Sequence, residues 1–176
     1  MPIRFLSRAP LLLLAAGLVA SARGQCPAQW HGGPMQFGTV PAVTASTEWD
    51  PDGPGPLPTW LVVAGDFFEA GGQPVARIAG WDGQRWHPIG DGFPIDGPWT
   101  DIQSLIVYSG QLIAAGAGGN HGLMAYFDGS TWTRFEPTWL DPVTDMCIHD
   151  GALIVAHQSG TSRWDGQAWT QFPTGS

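Results

Sequence analysis

The chain has 176 residues, with seven arginines and no lysine against 15 acidic residues, a formal net charge of −8. Phosphate backbones repel such a chain, which argues against a nucleic-acid partner. Its 25 glycines and 16 prolines would interrupt any long helix, so a helical bundle is excluded as well.

In chain order, the first element is a targeting segment. Arg4 and Arg8 precede an apolar stretch over residues 10–22 that contains Leu11, Leu12, Leu13 and Leu14. Small residues close it: Ala20, Ser21, Ala22 and then Gly24. This pattern predicts a secretory signal peptide over residues 1–24, too short to span a bilayer. Gln25 stands before Cys26 where a lipoprotein signal needs a small residue. An exported protein, periplasmic or extracellular, without a membrane span is therefore expected. An oxidising compartment would allow Cys26 and Cys147 to pair, a question that geometry decides.

Residues 25–38 form an N-terminal segment. Within it, residues 29–38 are a degenerate copy of residues 80–90. The remainder, 39–176, divides into three units over 39–92, 93–137 and 138–176. Each unit ends on one phrase. Trp81-Asp82-Gly83-Gln84-Arg85-Trp86 recurs as Phe127-Asp128-Gly129-Ser130-Thr131-Trp132 and as Trp164-Asp165-Gly166-Gln167-Ala168-Trp169. A period in this range marks a repeat architecture.

Each phrase is preceded by two apolar runs joined at a turn. The runs are 43–49 and 60–64, then 102–108 and 111–115, then 143–149 and 152–156. Ser109-Gly110 and Asp150-Gly151 read as tight hairpins, and residues 50–59 replace them with a longer loop in the first unit. Third strands are expected over 75–81, 123–127 and 161–164, and fourth strands over 86–89, 132–135 and 169–172. Asp82-Gly83, Asp128-Gly129 and Asp165-Gly166 are read as structural turns, with glycine taking the positive φ.

Apolar hairpin, glycine, aromatic-Asp-Gly and then tryptophan is a pattern that resembles the Kelch and WD-like β-propeller superfamily. It is closest to secreted bacterial proteins with tandem W-D-G-x-x-W blades. The resemblance covers residues 38–173. It implies a six- or seven-bladed all-β ring, usually non-catalytic and often carried on larger extracellular proteins, of which this chain's repeats supply about three four-stranded antiparallel blades. Kelch blades end their second strand on a glycine pair, whereas this chain has Gly65-Asp66, Gly116-Ala117 and His157-Gln158. Three blades do not close a ring. A partial propeller, or a homodimer that closes six blades, is expected.

Within such blades Trp81, Trp86, Trp132, Trp164 and Trp169 are expected to pack between sheets. No cofactor is implied. Calcium at Asp50-Pro51-Asp52-Gly53 lacks a distal acidic ligand. His149 and His157 would stand about 16 Å apart along a strand pair, at roughly 3.3 Å per residue, too far to share a metal ion. His31, His87 and His121 have no ligand-like spacing.

The connections between second and third strands, and between units, vary most along the chain. Variable loops on a constant frame are where contacts usually lie. Phe67, Phe68, Trp99, Asn120, His121, Trp139 and His157 are therefore the candidate ligand-binding residues, with core packing as the competing role for the aromatics. The expected function is a non-catalytic extracellular binding or scaffold module for a protein or carbohydrate ligand. The alternatives are a carbohydrate-active or oxidase-type propeller enzyme, or a truncated remnant of a larger propeller protein.

Overall fold

The computed structural model describes residues 42–93, 100–119, 121–135 and 141–173. All of them belong to one compact unit, Gly32–Ser176. The expected signal peptide (1–24), the segment 25–38 and Cys26 lie outside the described residues.

Every regular element among the described residues is a β-strand. In order they are β1 Val43–Trp49, β2 Trp60–Gly65, β3 Glu69–Ala70, β4 Gln73–Pro74, β5 Ile78–Trp81, β6 Trp86–Pro88, β7 Thr100–Tyr108, β8 Gln111–Gly118, β9 His121–Phe127, β10 Trp132–Arg134, β11 Val143–His149, β12 Ala152–His157, β13 Gly160–Trp164 and β14 Trp169–Gln171. They build three four-stranded sheets, β1-β2-β5-β6, β7-β8-β9-β10 and β11-β12-β13-β14, and a separate hairpin β3-β4. Among the described residues no helix is long and apolar enough to cross a membrane.

Local chemistry explains the meanders. Ser109 and Gly110 have φ of 51° and 80°, and Asp150 and Gly151 have 48° and 72°. Two successive positive-φ residues twist a tight turn to match the twist of its strands. The three sheets also share one register. Leu61, Leu112 and Leu153 stand opposite Trp81, Phe127 and Trp164. The last residues of the first strands, Trp49, Tyr108 and His149, stand opposite Trp60, Gln111 and Ala152.

Alternation then sends successive side chains of each strand to opposite faces. One face of the first sheet (Val62, Ala64, Ile78) meets one face of the second (Leu105, Leu112, Ala125, Phe127) in a single buried cluster that includes Trp49. The other face of the second sheet (Ile113, Ala115, Met124) meets the third (Met146, Leu153, Val155). Contact runs through the first strands, β1 against β7 and β7 against β11. Chain following β6 and β10 reaches the next sheet. Ile89 and Phe93 join the first cluster, and Phe135 packs on Trp164 and Trp169 at centroid distances of 5.0 and 5.3 Å.

The first sheet departs from the expected strands in one place. Residues 75–81 read as one strand, but β5 begins only at Ile78. Arg77 before it has φ of 65°, a conformation that ends extended structure. The preceding chain folds into the β3-β4 hairpin. Phe67, Ala70 and Val75 lie with Val63 and Ala79 in a third buried cluster, packed against Trp86. The outward face of the first sheet is thus covered at this end by its own second-to-third connection. Arg77 fastens that connection, with Nη1 2.7 Å from Asp66 Oδ1 and its guanidinium 4.9 Å from the Phe68 ring centre.

Candidate functional site

At one end of the sheets stand the three Asp-Gly turns, which are alike in detail. Gly83, Gly129 and Gly166 have φ of 97°, 99° and 99°. Each aspartate donates its amide to the carbonyl three residues on, Arg85, Thr131 or Ala168. Each carboxylate accepts the next two amides: Gln84 and Arg85 on Asp82, Ser130 and Thr131 on Asp128, Gln167 and Ala168 on Asp165. These carboxylates close turns.

Such bonds favour the charged form. At Asp82 desolvation pulls the pKa upward, and it is outweighed by the hydrogen bonds from His87 and from the Arg85 and Gln84 amides, which bring it to about 2. The Thr131 and Ser130 amides hold Asp128 at about 2. Asp165 is lowered by the Ala168 and Gln167 amides. A folded-state pKa below the unfolded value gives stability that is present above about pH 4 and lost as the pH falls through the folded pKa. The melting temperature is expected to drop as pH falls from about 4 toward 2. Asp128→Asn, which keeps the accepting oxygen but cannot titrate, should flatten that dependence in thermal melts at pH 7 and pH 2.5.

Of the candidate ligand-binding residues, Phe67, Phe68, His121 and His157 lie at the opposite end. Phe68 is 49 % exposed and Phe67 only 1 %. Phe67 is therefore a core residue, because the β3-β4 hairpin closes over it. His121 begins β9 and is exposed. His157 ends β12 and is buried. Trp99, Asn120 and Trp139 lie outside the described residues. Cys147 is exposed on β11, and its partner in the expected pairing, Cys26, is not among those described.

His157 sits in a polar network. Nε2 is 3.0 Å from Ser162 Oγ, Nδ1 is 3.2 Å from Ser159 Oγ, and Nδ1 is 3.6 Å from Asp141 Oδ2. Ser159 also donates to Asp141. Asp, His and Ser in line invite comparison with a hydrolytic triad. A nucleophile must reach its substrate, and Ser162 is 0 % exposed. The network is suited to holding the second-to-third turn of the third sheet. His149 pairs with Ala152 and His157 with Val143, at opposite ends of the β11-β12 ladder. Among the described residues no group of three or more His, Cys, Asp or Glu is placed to hold a metal ion. In the 50–59 loop, Asp50 and Asp52 accept the amides of Asp52 and Leu57.

A second candidate lies at the Asp-Gly end, on the outward face of the first sheet. Glu48, Leu61, Trp81, Asp82 and Gly83 line an open recess of about 220 Å³. Behind it the first sheet departs from the other two. His87 Nε2 lies 2.7 Å from Asp82 Oδ2, and the His87 ring stacks on Trp60 at 4.5 Å. Thr133 and Thr170 occupy the matching register in the other sheets. Gly80 makes room for this stack, since a Cβ there would come 2.6 Å from Trp60 Cε3. The sequence carried a signal for the recess: Glu48 breaks an apolar position that Val107 and Ile148 keep. That signal is readable only once the register is known.

Compared with known proteins, the chain matches no family model, no curated protein and no solved structure.

Proposed function

We propose that this chain is an exported, non-catalytic binding or scaffold module built from propeller-type blades of the Kelch and WD-like kind. Its ligand is a protein or a carbohydrate, engaged at the end of the sheets where the second-to-third connections lie. The observation that carries this reading is an asymmetry. The Asp-Gly end repeats one turn three times, bond for bond, while each second-to-third connection is built differently. In the first sheet that connection is a hairpin presenting Phe68 under the Arg77 guanidinium. In the second Gly118 pairs directly with His121. In the third it is the His157 network. A constant frame with a varied end is the usual layout of a binding surface.

The packing supports the blade reading. Sheets that touch through their first strands, with later chain filling the space toward the fourth strands, fan out as blades do. The test is retention of the purified protein on a glycan array and on immobilised extracellular proteins. Phe68→Ala is expected to weaken retention about tenfold or more, as loss of an exposed aromatic anchor does. Gln167→Ala, at the other end, should leave it unchanged. Turnover of chromogenic glycosides by the same sample would instead favour the enzyme reading.

A further inference from the structure

We propose that the recess on the first sheet receives a second copy of this chain, whose third sheet docks there through His149. The inference rests on the blade reading above and adds the residues of the joint. The two internal joints show how such a slot is filled. At the first, Trp49, which ends β1, is 4 % exposed. Its ring meets Phe127 at 5.7 Å, and its Nε1 donates to the Gly110 carbonyl at 3.4 Å. At the second, Tyr108, which ends β7, packs into the cluster that contains Trp164. A Cβ on Gly166 would lie 3.9 Å from its hydroxyl.

Phe127, Trp164 and Trp81 share one register, and so do Gly129, Gly166 and Gly83. The aromatic that ends each first strand therefore fills a slot on the following sheet. On the first sheet the same slot is the open recess. The residue that would fill it by register is His149, whose side chain is 75 % exposed.

Charge fits the two ends together. At the position of Val107 and Ile148 the first sheet carries Glu48, beside Asp82. On the outward face of the third sheet, His149 and Arg163 take the places of Tyr108 and Tyr126. An apolar joint has become a carboxylate on one outward face and an imidazole and a guanidinium, each beside an aspartate, on the other. Among the described residues His149 and Arg163 meet loosely placed neighbours, Asp150 at 3.5 Å and Asp165 at 3.8 Å. The β3-β4 hairpin fills the wedge that Ile89 and Phe93 fill at the first internal joint, and leaves β1 and the Asp-Gly end accessible. Head-to-tail contacts of this kind close when made in both directions.

The experiment is sedimentation of the purified protein over a range of concentrations, with thermal melts alongside. Twice the chain mass is expected for the wild type. Glu48→Lys and His149→Glu should each return it to one chain mass, and the pair together should restore the doubled mass. Both side chains are exposed, so cooperative melts should persist. A single-chain mass at every concentration with a cooperative melt, or a doubled mass that neither substitution changes, would overturn the inference and leave the blade reading standing. Loss of a cooperative melt in the wild type would undo the blade reading itself.

Discussion

Leu112→Ala is expected to destabilise the protein by about 3–5 kcal/mol. Leu112 is 0 % exposed on β8, paired with Val107 and Phe127, in the cluster that joins the first and second sheets. Truncation loses the burial of the side chain and leaves a cavity that Trp49 and Phe127, held by edge contacts to one another, cannot easily collapse. Against a total stability of about 5–15 kcal/mol for an ordinary domain, this is a large fraction. Leu61 occupies the same register in the first sheet but is 37 % exposed, because no other sheet among the described residues stacks on it. Leu61→Ala should cost about 1 kcal/mol or less in dilute solution. Urea unfolding of both variants, with unchanged slope, checks the contrast. Equal losses would mean that the outward face of the first sheet is as well covered as an internal joint.

The contrast between these two leucines also shows what the sequence could and could not reveal. The meanders were legible because their signals are local. Asp-Gly fixes the turn, and continuous apolar runs such as Leu61-Val62-Val63-Ala64 mark strands packed on two faces. The β3-β4 hairpin was not. Its strands are two residues each, too short to show a period, and the one cue, Gly71-Gly72 at φ of 60° and 78°, lies beside an apolar stretch that reads as part of β5. The sequence leaves Phe67 open between a contact role and a core role for the same reason: nothing local says that a hairpin folds back over it. Trp81, Trp86, Trp132, Trp164 and Trp169 read alike in sequence. Their surroundings differ because Trp132 and Trp164 have a preceding sheet of the same chain, whereas among the described residues Trp81 has the recess before it. The candidate joint was illegible until register placed Glu48, His149 and Arg163 on the two outward faces. Residues far apart in sequence share a slot only through pairing that sequence does not print.

Gly116→Val should be the most damaging glycine replacement among the described residues. Its backbone is not in the left-handed region, so the argument is one of space. A Cβ there would lie 1.8 Å from the Asp101 carbonyl oxygen and 2.9 Å from the Ile102 Cα. Those atoms are main chain, beside the register shift between Ile102 and Ser104, and cannot swing aside as a flexible side chain would. Gly65 shows the same close approach in the first sheet, with its Cβ 1.9 Å from the Ala42 carbonyl oxygen. The third sheet has His157 at that register, so a backbone that admits a side chain there exists, but it belongs to a strand end built around the Asp141, Ser159 and Ser162 network. Moving β7 and β8 apart to the same degree would open both buried clusters, since β8 supplies residues to each. A loss of about 3 kcal/mol or more is expected, at or above the upper range for overpacking. Gly129→Ala provides the comparison, because it has φ of 99° and open space around it. Strain of the positive φ alone should cost it about 1–2 kcal/mol. Denaturant melts should therefore rank Gly116→Val well below Gly129→Ala. The reverse order would mean that β7 shifts as freely as β11 has done, and that the joint between the first two sheets is softer than its packing implies.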